Sequence, residues 1–150
     1  MSDIILLDTG PLGLITHPLG SAESDACNQW MQSQIVIGTY VLVPGIADYE
    51  LRREMLLNGN TGGIIKLNNL NATLGFDPIT TAVMNQAAIF WSQARRMGKK
   101  TASDAALDGD MILSAHASLI TGRGHNLTVA TTNLKHLDVF CNASLWTDMR

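Results

Sequence analysis

The stretch Ile4-Ile5-Leu6-Leu7-Asp8-Thr9-Gly10-Pro11 decides the fold class. Four consecutive apolar residues stop abruptly at an acid, a threonine and a Gly-Pro breaker. A strand with one wet face alternates apolar and polar side chains. An unbroken apolar run instead reads as a strand covered on both faces, as in a parallel sheet. Parallel strands need crossover connections, usually helical. Ligands of such sheets bind beyond the carboxyl ends of the strands. Asp8, immediately after the run, is therefore the first place to look for chemistry.

Working outward, Ser21 is a fair N-cap for a helix over 21–34, whose Ala22, Ala26, Trp30 and Met31 share one face. Ile35-Val36-Ile37 and Tyr40-Val41-Leu42-Val43 are the next strand candidates, the second stronger. Pro44-Gly45 ends that strand and opens a helix over 45–58, closed by Asn58-Gly59-Asn60. In the weaker segment 61–74, Gly62-Gly63 precedes a short helix with Ile64, Ile65, Leu67 and Leu70, and Leu74-Gly75-Phe76 reads as a brief strand. Pro78 sits near the start of a long helix, 79–97, stopped by Gly98. Asp108 is the expected N-cap of a helix over 109–121, terminated by Gly122-Arg123-Gly124. Leu127–Thr132 is a strand, Asn133–Phe140 a short helical turn and Ala143–Trp146 a final strand. Apolar strands separated by helices predict an α/β fold with a mostly parallel sheet covered on both faces.

Length and composition set bounds. The chain has 150 residues, which predicts one domain over 1–150. Hydrophobic residues make up 46 %, against a disordered chain, and charged residues only 15 %. The two cysteines, Cys27 and Cys141, are far apart and read as ordinary thiols of an intracellular protein. The N-terminus has no basic n-region, and no stretch approaches the ~18 apolar residues of a membrane span. A soluble cytoplasmic protein with no membrane partner is expected. The formal net charge of −3 argues at first against a nucleic-acid partner of the plain basic-patch kind.

The positions of the acids change that inference. Asp8 follows the first strand, Glu50 lies near the second turn of the helix after Pro44-Gly45, and Asp110 opens the 109–121 helix. Asn133 follows the strand 127–132. Three carboxylates in one crevice repel and desolvate badly without a cation. A hard divalent ion, Mg2+ or Mn2+, is the natural compensation, and it can activate water and neutralise phosphoryl charge. Spacing alone is a weak signal for this, because dispersed carboxylates suit many folds.

The local sequences are more specific. Ile4–Leu12, Val43–Leu51 with Glu50, Leu107–Ala117 with Asp110, and Val129–Leu137 with Asn133 occur in the order found in the PIN-domain nucleases. The chain resembles that family, in particular the VapC-like toxins of toxin–antitoxin pairs, over nearly its whole length. The resemblance implies a three-layer α/β/α fold with a small, mostly parallel sheet. It implies a Mg2+- or Mn2+-dependent endoribonuclease that hydrolyses RNA phosphodiester bonds. Asp8, Glu50 and Asp110 are then the acidic metal site, Asn133 completes the catalytic set, and Thr9 and Thr131 support it. A cognate antitoxin protein and a homodimer are implied as well.

Two positions depart from the family pattern. Asn133 stands where many members have an aspartate, and His136 where a further acid is common. An amide oxygen can still bind an ion or hold a water, so weaker metal affinity is expected. The departures also motivate an alternative, a catalytically degenerate PIN module acting as a binding partner in a regulatory complex. An aspartyl-phosphate phosphatase is disfavoured because position 10 is Gly10, where a second acid is usual.

The remaining polar residues have structural roles open to them as well. Asp8 could cap the turn, and Glu50 could pair with Arg53 at i+3. Asp108 reads as an N-cap close enough to support the site through water. Asp48, two residues from Glu50, reads as solvated. Asp104 has no assignment, and Asp138 lies out of register. His17, His116, His125 and His136 lack zinc spacing, and His116 reads as a packed helix residue. Arg95, Arg96, Lys99 and Lys100 suit a helix C-terminus and are also possible RNA contacts. Arg52, Arg53, Arg123 and Lys135 flank the proposed site and are candidates to steer RNA. Trp30, Trp91 and Trp146 read as core or interface residues. With so few basic residues, RNA affinity should be modest and salt-sensitive.

Overall fold

The structure is a computed structural model that describes residues 3–98, 104–134 and 137–149, with the side chains of Asp104 and Ala105 left out. The elements in chain order are β1 (Asp3–Leu7), α1 (Thr9–Ile15), α2 (Ala22–Val36), β2 (Tyr40–Pro44), α3 (Gly45–Leu57), α4 (Thr61–Leu74), β3 (Phe76–Asp77), α5 (Thr81–Arg96), α6 (Asp104–Gly122), β4 (Asn126–Thr131), α7 (Leu137–Phe140) and β5 (Ala143–Leu145). A 3-10 turn, Trp146–Asp148, follows. The five strands form one parallel sheet in the order β3-β2-β1-β4-β5. This is the three-layer α/β/α arrangement expected from the sequence.

The opening run explains the layers. β1 is central, and its side chains alternate between two cores. Ile5 and Leu7 pack with Leu12 and Ile15 of α1, Cys27, Trp30 and Met31 of α2, Met55 of α3 and Leu67 of α4. Ile4 and Leu6 pack on the other face with Leu113, Ala117 and Ile120 of α6. Leu6 and Leu7 are fully buried, so truncating either to Ala should cost about 2–5 kcal/mol. A third core joins α5 to α6 through Phe90, Ala94, Met111 and Ala115. Among the described residues, no helix is long and apolar enough to cross a membrane.

Several boundaries differ from the sequence reading, each for a local reason. Ile35-Val36-Ile37 is not a strand. α2, capped at Ser21, propagates through Val36, and Gly38 at φ 95° ends the turn that follows. Asp108 is not an N-cap, because α6 begins at Asp104 and places it inside the helix. The breaker after β1 does end the strand, but it also starts α1 at once: Asp8 is the N-cap, and Pro11 sits in the first turn, where its missing N–H costs nothing. Segment 61–74 is helical throughout. The brief strand before α5 is Phe76–Asp77.

Candidate metal centre

The strand order reverses direction between β1 and β4: β2 and β3 lie to one side, β4 and β5 to the other. Crevices form at such a switch point, at the carboxyl ends of the strands. A cleft of about 220 Å³ opens there. Around it stand Asp8, Thr9, Glu50, Arg53, Glu54, Ala106, Asp110, Thr131, Thr132 and Asn133. All four residues expected to be catalytic are thus brought together from four separate segments, with Thr9, Thr131 and Arg53.

Asp8 is held from two directions. The Thr9 backbone N–H donates to Oδ1 at 2.7 Å, and the Thr131 hydroxyl donates to Oδ2 at 2.7 Å. Thr131 is fully buried, and its hydroxyl accepts the Asn133 N–H at 3.1 Å. The hydroxyl also lies 3.0 Å from the Asn133 carbonyl oxygen, and its single proton goes to the shorter, charge-assisted bond with Asp8. The cap uses Oδ1 and the Thr131 bond Oδ2, and each carboxylate oxygen keeps further lone-pair capacity toward the cleft.

Glu50 reaches the cleft from the second turn of α3. Its Oε1 accepts from the Thr9 hydroxyl at 3.2 Å. Burial pushes its carboxyl above the ordinary glutamate value, and the charges of Asp8 and Glu54 add to this, while the Thr9 hydroxyl and Arg53 pull it back. Gly109 makes the close approach of α6 possible. A Cβ there would lie 2.7 Å from Glu50 Oε2. Gly10 is likewise hemmed in, since a Cβ would sit 2.7 Å from Thr132 Cγ2. Gly10 was read from the sequence only as a breaker, and neither Gly109 nor Glu54 was singled out. Both glycines lie one residue from a proposed ligand or its support, but only the packing explains why.

The donor set, carboxylate and amide oxygens, suits a hard divalent cation in chemistry. Among the described residues, no group of three His, Cys, Asp or Glu side chains already stands arranged to hold an ion. Side-chain adjustment would have to accompany binding.

Other expected residues fall elsewhere. Asp108 is exposed and faces the apolar groove between α5 and α6, not the cleft. Arg95 and Arg96 occupy the last turn of α5, with Arg95 over the Trp91 ring at 5.0 Å. Arg123 follows the end of α6, just before β4, and so lies toward the opposite end of the sheet. Lys99, Lys100, Lys135 and His136 lie outside the described residues. Asp48 is not solvated. It is buried, and it binds Arg52 Nε at 2.9 Å and Asn71 Nδ2 at 2.7 Å. Arg52 also reaches Asn68, so it braces α3 against α4 and does not face the cleft. His116 is fully buried, with Nδ1 2.7 Å from Asp77 Oδ2. Trp30 and Trp146 are core partners, 5.8 Å apart, while Trp91 is 37 % exposed. Burial raises the thiols of Cys27 and Cys141, to about 12 and about 11.

No protein-family model and no curated protein sequence matches the chain. Solved structures do. The VapBC2 structure from Rickettsia felis, bound to a DNA fragment from its promoter, has TM-score 0.69 at 12 % identity, covering 95 % of this chain and 98 % of that one. FitAcB from Neisseria gonorrhoeae has TM-score 0.67 at 23 % identity, covering 97 % and 99 %. VapBC-1 from nontypeable Haemophilus influenzae has TM-score 0.64 at 13 % identity, covering 96 % and 98 %. At these identities the likeness is one of fold, and it extends over essentially the whole of each chain.

Proposed function

We propose that this protein is a divalent-metal-dependent endoribonuclease, the toxin of a VapBC-type pair. The observation that carries the reading is the convergence of Asp8, Glu50, Asp110 and Asn133, from four separate segments, on one cleft at the switch point of the sheet. The fold shared with VapBC and FitAcB structures supports it.

Asp8, Glu50 and Asp110 would hold Mg2+ or Mn2+, which supplies charge neutralisation at phosphorus and a more acidic water. Hydrogen bonds from Thr9 and Thr131 hold the Asp8 carboxylate and limit its movement on binding. Glu50, whose Oε1 accepts from the Thr9 hydroxyl, is placed at the cleft to take a proton from attacking water. Asn133, exposed at the rim, offers an amide to orient that water. Arg53 brings a guanidinium to the RNA backbone beside the scissile bond. An antitoxin that covers the cleft, a homodimer and a cytoplasmic setting belong to the same proposal.

A binding-only module is the second reading. It is favoured by the neutral Asn133, where the resemblance leads one to expect an acid. Calorimetry separates the two, since a binding-only module takes up no Mn2+ in a way that depends on Asp110. The test of the main proposal is sequencing of cleaved RNA ends after brief expression of wild type and of Asp8→Asn. New ends confined to wild type support it, and ends that persist in Asp8→Asn refute it. Growth arrest relieved by the neighbouring gene would support the toxin role.

A further inference from the structure

Arg53 belongs to the cleft, yet it does not collapse onto the carboxylates around it. Its guanidinium carbon lies 5.2 Å from the centroid of the Tyr49 ring, one helical turn back on α3. Among the described residues it forms no hydrogen bond or ion pair with a protein group, although Glu50 and Glu54 line the same cleft. The donors of Arg53 are therefore unspent, and the ring holds the side chain in place. Tyr49 itself is 56 % exposed, so only part of the ring is covered. The second guanidinium–aromatic pair among the described residues, Arg95 over Trp91, belongs to the groove between α5 and α6.

A fork of free N–H donors beside an open aromatic face is what a nucleotide needs. The guanidinium matches two phosphate oxygens, and the ring offers a stacking surface for a base. A base inside a duplex is already stacked, so this combination selects unpaired nucleotides. We propose that Arg53 and Tyr49 form a phosphate-and-base subsite at the mouth of the cleft that takes an unpaired nucleotide beside the scissile bond. Arg53 binds a backbone phosphate next to the scissile one, and Tyr49 stacks the adjoining base. The inference rests on the nuclease reading and adds the recognition element to it.

The test is affinity for a short fluorescent single-stranded RNA, measured in excess chelator so that nothing is cut. Tyr49→Ala should bind roughly 10-fold more weakly than wild type, and Tyr49→Phe about as well as wild type. A second probe, abasic at the nucleotide next to the cut, closes a cycle between protein and RNA. It should bind wild type and Tyr49→Ala equally, because the stacking partner is gone from both. The subsite inference is overturned if Tyr49→Ala binds the normal probe within twofold of wild type, or if its deficit persists on the abasic probe. In either case a wild type that still cuts RNA leaves the nuclease reading standing. A wild type that neither binds nor cuts RNA overturns both.

Discussion

The Thr131 hydroxyl donates a 2.7 Å hydrogen bond to Asp8 Oδ2, tying the ends of the neighbouring strands β4 and β1 at the floor of the cleft. The two residues are 123 positions apart in sequence. The bond makes a positional demand that the Thr methyl alone does not meet. Thr131→Val keeps the shape and removes the donor, leaving Asp8 with one charge-assisted partner fewer. Thermal or urea unfolding should show a loss of about 1–3 kcal/mol. RNA cleavage should fall at least tenfold, while Thr131→Ser keeps most of both. Equal cleavage by the Val and Ser variants would show that Asp8 needs no such anchor.

Gly109 separates fold from function. A Cβ there would meet the free end of the Glu50 side chain, which can swing away at little cost to the fold. Alanine inside a helix is better than glycine by about 0.5–1 kcal/mol. Gly109→Ala should therefore melt at or above the wild-type temperature and still lose cleavage, by about 10- to 100-fold for a displaced group. A variant with unchanged cleavage would mean that the position of Glu50 is not critical.

Asp48 sets an acid limit on stability. Burial alone would push its carboxyl up. The hydrogen bonds from Arg52 and Asn71 and the Arg52 charge outweigh this and hold it below the ordinary aspartate value. With the folded value the lower of the two, the unfolded chain takes up the proton first. The stabilisation is complete above the unfolded value of about 4 and is lost as pH falls through the folded one. Urea titrations should find Asp48→Asn about 1–2 kcal/mol less stable than wild type at neutral pH. That gap should close as pH drops below about 4. A gap independent of pH would assign the effect to packing.

A cation that binds the folded cleft must stabilise it. At a hundredfold excess over its dissociation constant, Mn2+ adds about 2.7 kcal/mol, a rise of roughly 5–10 °C in melting temperature for a chain of this size. Asp110→Asn should abolish most of the rise. An equal rise in wild type and Asp110→Asn would place the ion elsewhere.

What the sequence disclosed follows from where its signals are local. The apolar run 4–7 carries its two-sided burial in its own pattern, so the parallel sheet and the position of Asp8 could be read directly. Asp110 and Asn133 stand next to strong periodic segments, but it was the resemblance of those segments to the PIN-domain nucleases that singled them out. The α2 terminus was misread because Ile35-Val36-Ile37 has strand propensity, while the helix propagating from Ser21 decides its conformation. The start of α6 was misread because Asp108 resembles a cap, although four helical residues precede it. The i,i+4 pairing of Asp48 with Arg52 was local and readable, but its burial against α4 and the bond from Asn71, 23 residues away, were not. Gly109 was invisible because its role is a through-space approach of α6 to Glu50. Tertiary partners of this kind leave no mark in local pattern.

The most direct test of the central claim is cleavage of single-stranded RNA by the purified protein in Mn2+ and in excess chelator, beside Asp110→Asn. The account predicts strand cuts with Mn2+, none in chelator, recovery when Mn2+ is restored, and none with Asp110→Asn under any condition. Cleavage that continues unchanged in chelator, or in Asp110→Asn, would contradict it.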